Sequence, residues 1–137
     1  MRLGNPNLAV DTNAELNGKW ADCPDIWWVS KDKPMRVCIK GASTRQHTLL
    51  IQRLTKNLTP EQIEETALEI NQDLALDLLC GWQNHFDPEG NEIPFSTENA
   101  KYIVKDPDNR RYVEFILLLS RTLTTFDPEK KEATTKN

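Results

Sequence analysis

Cysteine is sparse in this chain: Cys23, Cys38 and Cys80 are odd in number, far apart, and without the C-x-x-C spacing of a zinc knuckle or a dithiol redox motif. A disulfide framework is excluded as the basis of the fold, and reduced thiols of an intracellular product are expected. Glycine is sparse as well, and none of the five is grouped into a loop that would cradle phosphate. No serine lies in a G-x-S-x-G turn, and neither His47 nor His85 adjoins a cysteine in sequence, so the usual nucleophilic sets are missing. A spatial pairing of Cys80 with His85, as a small enzyme or metal-binding protein would use, and a zinc site assembled from Cys23, Cys38, Cys80 and a histidine are the chemical alternatives left open.

Long hydrophobic runs are absent too. The longest, Phe115-Ile116-Leu117-Leu118-Leu119, is far shorter than a bilayer span, and Met1 to Asn7 lacks the apolar core of a signal peptide. Positive charge is not in excess: 17 Lys and Arg stand against 21 Asp and Glu, for a net charge of -4. Nucleic acid is therefore not an expected partner. Asp87-Pro88-Glu89-Gly90-Asn91-Glu92 clusters carboxylates, but its glycine is fourth and its proline second, which is not the register of a calcium loop. Asn57-Leu58-Thr59 matches a glycosylation acceptor that helix capping by Thr59 explains equally well. Together these absences point to a non-enzymatic, cytoplasmic protein without metal or cofactor, whose work is contact with other proteins.

What is present is a composition able to fold. With 137 residues, 38% hydrophobic and 28% charged, the chain suits one domain that buries roughly two thirds of its unfolded surface. We read an irregular N-terminal arm over 1–17, a globular domain over 18–125 and a polar, disordered tail over 126–137. The fold class is α+β: a small N-terminal antiparallel hairpin or three-stranded sheet packed on a mainly helical body of about four helices. Ile26-Trp27-Trp28-Val29 and Met35-Arg36-Val37-Cys38-Ile39 are read as paired strands, with Lys19-Trp20-Ala21 a candidate third.

Ser43-Thr44-Arg45-Gln46 has the capping-box pattern, and a helix from about Thr44 to Asn57 follows. Thr59-Pro60-Glu61-Gln62 repeats that signal with proline at the first helical position, opening a helix that should run to Cys80. On it, Ile63, Ala67, Ile70, Leu74 and Leu78 form an apolar stripe, opposite an acidic stripe of Glu65, Glu69, Asp73 and Asp77. No basic residue at helical spacing neutralises those carboxylates, so they should meet either the basic residues Arg45, Arg53 and Lys56 of the preceding helix, antiparallel to it, or a basic partner. Gly81 is read as the left-handed cap of that helix. Trp82 and Phe86, the turn Asp87-Pro88-Glu89-Gly90-Asn91, and then Pro94, Phe95 and the capping Ser96 lead to a helix over Thr97 to about Lys105. A last helix, from near Pro107 to about Thr124, is apolar nearly all round.

The candidate partner-contacting residues are Trp27 and Trp28, the acidic Glu69, Asp73 and Asp77, and Val113 and Leu117 on the last helix. The order of elements, and above all Gly81-Trp82, Asp87 to Gly90, Pro94-Phe95-Ser96 and Glu98-Asn99, resembles phage tail assembly chaperones. That resemblance implies a non-enzymatic protein of a long-tailed phage or prophage that binds the tape measure protein and recruits tail tube protein in the bacterial cytoplasm, with self-association possible. The long N-terminal arm and the Trp-rich first strand depart from the family pattern, which keeps a minor structural protein of the tail, retained in the virion, as the alternative.

Overall fold

Met35 to Ile39 alternates as a half-buried strand should, and Arg36–Ile39 forms β2, with Val37 and Ile39 fully buried. On one side it pairs antiparallel with β1, Lys19–Asp22, and on the other with β3, Leu79–Gln83, giving the sheet order β1-β2-β3. The computed structural model describes residues 12–122. The tail expected over 126–137, residues 1–11 of the expected arm, and Thr124 at the expected end of the last helix lie outside the described residues. The remainder of that arm is not irregular: Thr12–Asn17 forms a short helix, α1, with Ala14 buried. Gly18, at φ +89°, donates from its backbone to the Ala14 carbonyl at 3.0 Å, so this glycine supplies the left-handed turn that ends a helix.

Five further helices follow: α2, Arg45–Thr55; α3, Pro60–Glu65; α4, Ala67–Leu78; α5, Thr97–Lys105; and α6, Arg110–Thr122. The α+β class stands, with more helices than the four expected. Thr44, not Ser43, caps α2, accepting from the His47 backbone at 3.2 Å. The capping box of α3 forms as expected: Gln62 N–H donates to Thr59 Oγ1, and the Gln62 side chain accepts from Thr59 N–H at 2.9 Å. The single helix expected from Pro60 to Cys80 is interrupted at Thr66, whose hydroxyl donates back to the Gln62 carbonyl at 2.7 Å. Ser96 caps α5 by accepting from Asn99 N–H at 3.0 Å, and Ser96→Ala should lower the unfolding free energy by about 1 kcal/mol in a urea titration.

Gly81 does not cap α4. The helix stops at Leu78 because the chain enters the sheet: Lys40 N–H donates to the Leu78 carbonyl at 2.9 Å, and Leu79 pairs with Ile39. Gly81 lies within β3, where a Cβ would sit 3.4 Å from the Trp20 indole, so its missing side chain lets that ring lie on the strand. Ile26-Trp27-Trp28-Val29 is no strand either. Asp25–Trp27 is a 3-10 turn in which Trp27 N–H donates to the Pro24 carbonyl at 2.9 Å.

The core lies where the sheet meets α4, α5 and α6: Val37 and Ile39 of β2, Leu79 and Trp82 of β3, Ala75 and Leu78 of α4, Ala100 and Val104 of α5, and Val113 and Ile116 of α6. The buried face of α4 is Gln72, Ala75 and Leu78, rotated from the expected stripe; Ile70 and Leu74 are half-buried. Gln72 is admitted because its amide donates to the Lys105 carbonyl at 3.3 Å, joining α4 to the end of α5.

Candidate functional site

The segment after β3 folds back on itself. Ile93 N–H donates to the His85 carbonyl at 2.7 Å, Phe86 bridges Glu92, and Asp87 closes the tip by accepting from Asn91 N–H at 2.8 Å. Gly90, at φ +88° with open space around it, makes the turn that the sequence predicted. Trp82 holds the base of this loop. Its ring is stacked on His85 at 4.6 Å and meets Phe95 edge-on at 4.9 Å, and its indole N–H donates to the Ile93 carbonyl at 2.7 Å. Pro94 is exposed, and its carbonyl accepts from the Asn99 amide at 2.9 Å, which ties the loop to the first turn of α5.

Between this loop, the 3-10 turn at Asp25–Trp27 and the α5–α6 junction lies a groove of about 670 Å³. That is within the usual range for a ligand or side-chain pocket. Its apolar lining includes Trp27, Met35, Phe86, Ile93 and Ile103; its charged lining is Asp87, Asp106, Asp108 and Arg111. At the floor, His85 and Tyr112 are buried, and the Tyr112 hydroxyl lies 2.7 Å from His85 Nε2. His85 Nδ1 is 3.1 Å from the Gln83 carbonyl, which can only accept, so Nδ1 carries the proton and Tyr112 donates to Nε2. Burial pushes the His85 pKa down to about 4 and raises that of the Tyr112 hydroxyl. Both groups are neutral near pH 7, and their hydrogen bonds are satisfied within the fold, which suits a floor more than a proton relay.

The residues expected to contact partners divide. Trp27 lines the groove, half-buried, with its ring 5.3 Å from Phe115 and 6.4 Å from Tyr112. The adjacent Trp28 is also half-buried, its indole N–H donating to the Cys23 carbonyl at 3.0 Å. Val113 is 1% exposed and so offers no partner surface, Leu117 is half-buried against the core, and the same turn of α6 presents Leu118 at 60% exposure. Two carboxylates of the acidic stripe find partners within the fold. Asp77 accepts from His47 Nδ1 at 2.9 Å, joining the last turn of α4 to the first turn of α2, and Asp73 pairs with Lys105 of α5. The expected antiparallel contact thus forms through His47, not through Arg45, Arg53 or Lys56. Glu65 and Glu69 face solvent.

Cys80 and His85 do not act as a pair: Cys80 Sγ lies 3.0 Å from Cys38 Sγ, whereas His85 is engaged with Tyr112 and Gln83. Among the described residues no group of three or more His, Cys, Asp or Glu is placed to hold a metal ion, and no helix is long and apolar enough to cross a membrane. Sequence reading missed the groove because its walls come from four separated segments. The hints were Trp27 and the tight turn at Asp87 to Asn91, each of which supplies part of the lining.

No curated protein and no solved structure matches the chain. One family model does, over residues 41–137, from just after β2 through the groove-forming loop and α6. Its description carries phage origin and no activity. The match spans well over half of the chain, which therefore belongs to the YdaY prophage protein family.

Proposed function

We propose that this prophage protein is a non-enzymatic tail assembly chaperone, acting in the host cytoplasm, that binds the tape measure protein and recruits tail tube protein. The observation that carries the reading is the ordered resemblance from Gly81 to Asn99, a segment that lies within the family match and also supplies Asn84, His85, Phe86, Asp87, Pro88 and Ile93 to the groove. The groove is the contact site in this reading. Much of its lining is apolar, and its three carboxylates outnumber its one guanidinium, so it suits a large apolar side chain of the tape measure protein flanked by basic residues.

Co-expression with the tape measure protein of the same prophage should yield a soluble complex that co-purifies, and failure to co-purify overturns the reading. Val29 lines the groove yet is 67% exposed, so Val29→Lys, which removes the apolar contact and repels basic flanking residues, should weaken the complex about tenfold, as measured by calorimetry, with no change in melting temperature. If the polypeptide is instead found by mass spectrometry in purified virions, it is a minor structural protein of the tail.

A further inference from the structure

The strand β3 carries one residue more than its partner. Ile39 pairs with Leu79 and Cys38 with Gly81, so Cys80 is the extra residue of a β-bulge. In a regular ladder Cys80 would point to the face opposite Gly81; the bulge turns it back toward Cys38. Its thiol lies 3.2 Å from the Cys38 carbonyl and 3.0 Å from Cys38 Sγ, so it reaches both the backbone and the side chain of that residue. Above the two sulfurs sits Gly18, where a Cβ would overlap both, so the end of α1 roofs the pair only because this position has no side chain. Cys38 is buried and Cys80 half-buried, which gives the pair an inner and an outer member.

We propose that Cys38 and Cys80 form an oxidation site that closes to a cross-strand disulfide and staples β2 to β3 across the bulge. The two sulfurs stand about 1 Å beyond bonding distance, which small side-chain rotations cover. With a low-molecular-weight disulfide as oxidant, the outer Cys80 thiolate attacks one of its sulfurs, forming a mixed disulfide and expelling the first small thiolate. The Cys38 thiolate then attacks the Cys80 sulfur and expels the second. Two protein thiols are oxidised, one small disulfide is reduced, and the two protons end on the two small thiols released. Burial pushes the Cys80 thiol up to about 12, so this chemistry is slow near neutral pH and the pair stays open under reducing conditions. Cys23 is the built-in control: it is buried, and its own thiol is pushed up to about 12.

The test is incubation of the full chain with oxidised glutathione, followed by alkylation in denaturant and peptide mapping. The expected product is lighter than the reduced protein by two hydrogens, joins the Cys38 and Cys80 peptides, and carries alkyl label on Cys23 alone. Closing a loop of this length should raise the melting temperature by about 10 °C, reversed by dithiothreitol. Cys80→Ser, a near-isosteric change at a half-buried position, should keep the reduced melting temperature and show neither the link nor the rise. Persistent labelling of all three cysteines, accumulation of a mixed disulfide on Cys80 without closure, or links through Cys23 would overturn the proposal. So would a closed bond that leaves the melting temperature unchanged or lowers it.

Discussion

Trp82→Ala should lower the unfolding free energy by about 3–5 kcal/mol, the largest loss expected from any single substitution outside the helix core. Three contacts converge on this ring. It is 6% exposed among Val37, Leu79 and the α5 residues, it stacks on His85, and its edge contact with Phe95 connects β3 to the start of α5. Truncation would leave a cavity beneath the loop and release the Ile93 carbonyl that the indole N–H now satisfies. Trp82→Phe keeps most of the ring but not the donor, and should cost about 1–2 kcal/mol more than conservative repacking alone. Urea denaturation of the two variants separates packing from hydrogen bonding. Equal losses would show that the N–H bond dominates, and a Trp82→Ala loss under 1 kcal/mol would show that the ring does not hold the loop.

The second large effect is a loss of stability in mild acid. His85 is held neutral down to about pH 4 in the folded protein, whereas in the unfolded chain it takes up a proton near its ordinary value of 6.5. Between those values the unfolded state binds more protons, so stability from this residue is complete above pH 6.5 and drains away as the pH falls toward 4. The window corresponds to about 3 kcal/mol. Carboxylates titrate over part of the same range, so the informative measurement is a comparison. The stability of a His85→Gln variant, measured by urea denaturation at pH 7, 5.5 and 4.5, should fall less steeply than that of the natural sequence. Parallel slopes would show that the imidazole is not desolvated.

The parts of this structure legible in the sequence are those whose causes are local. The Thr59–Gln62 capping box, Ser96 as the cap of α5, Gly90 in its turn and the break before Pro107 all rest on hydrogen bonds or steric limits spanning a few residues. Near-misses share that origin: the cap of α2 moved by one residue because Thr44 offers the same hydroxyl as Ser43. The segment from Leu78 to Gly81 shows where local reasoning stops. Its apolar run and its glycine fit a helix end, yet Leu79 onward is a strand because β2, about forty residues earlier, presents an edge whose hydrogen bonds the helix could not supply. Ile26 to Val29 fails in the opposite direction. β-Propensity favours a strand, but the Pro24-led turn and the docking of the Trp27 ring on Phe115 and Tyr112 outweigh it.

The candidate site was the least legible part. Trp27 was singled out, but the groove it lines depends on Ile103, Arg111 and Tyr112, which only the packing of α5 and α6 brings within reach. The acidic residues Asp73 and Asp77 were expected to meet either Arg45, Arg53 and Lys56 or a basic partner, and their actual partners, Lys105 and His47, were not foreseen because they lie on other helices. By itself the sequence determined the α+β class, most helix starts, the loop after Trp82 and the lack of a close-spaced metal or nucleophile motif, because each follows from residue type and short-range geometry. The tertiary structure alone decided that Leu79–Gln83 is a strand, the bulge that brings Cys80 to Cys38, and the groove. Each of these joins residues distant along the chain, and chain distance carries no signal in a pattern read a few residues at a time.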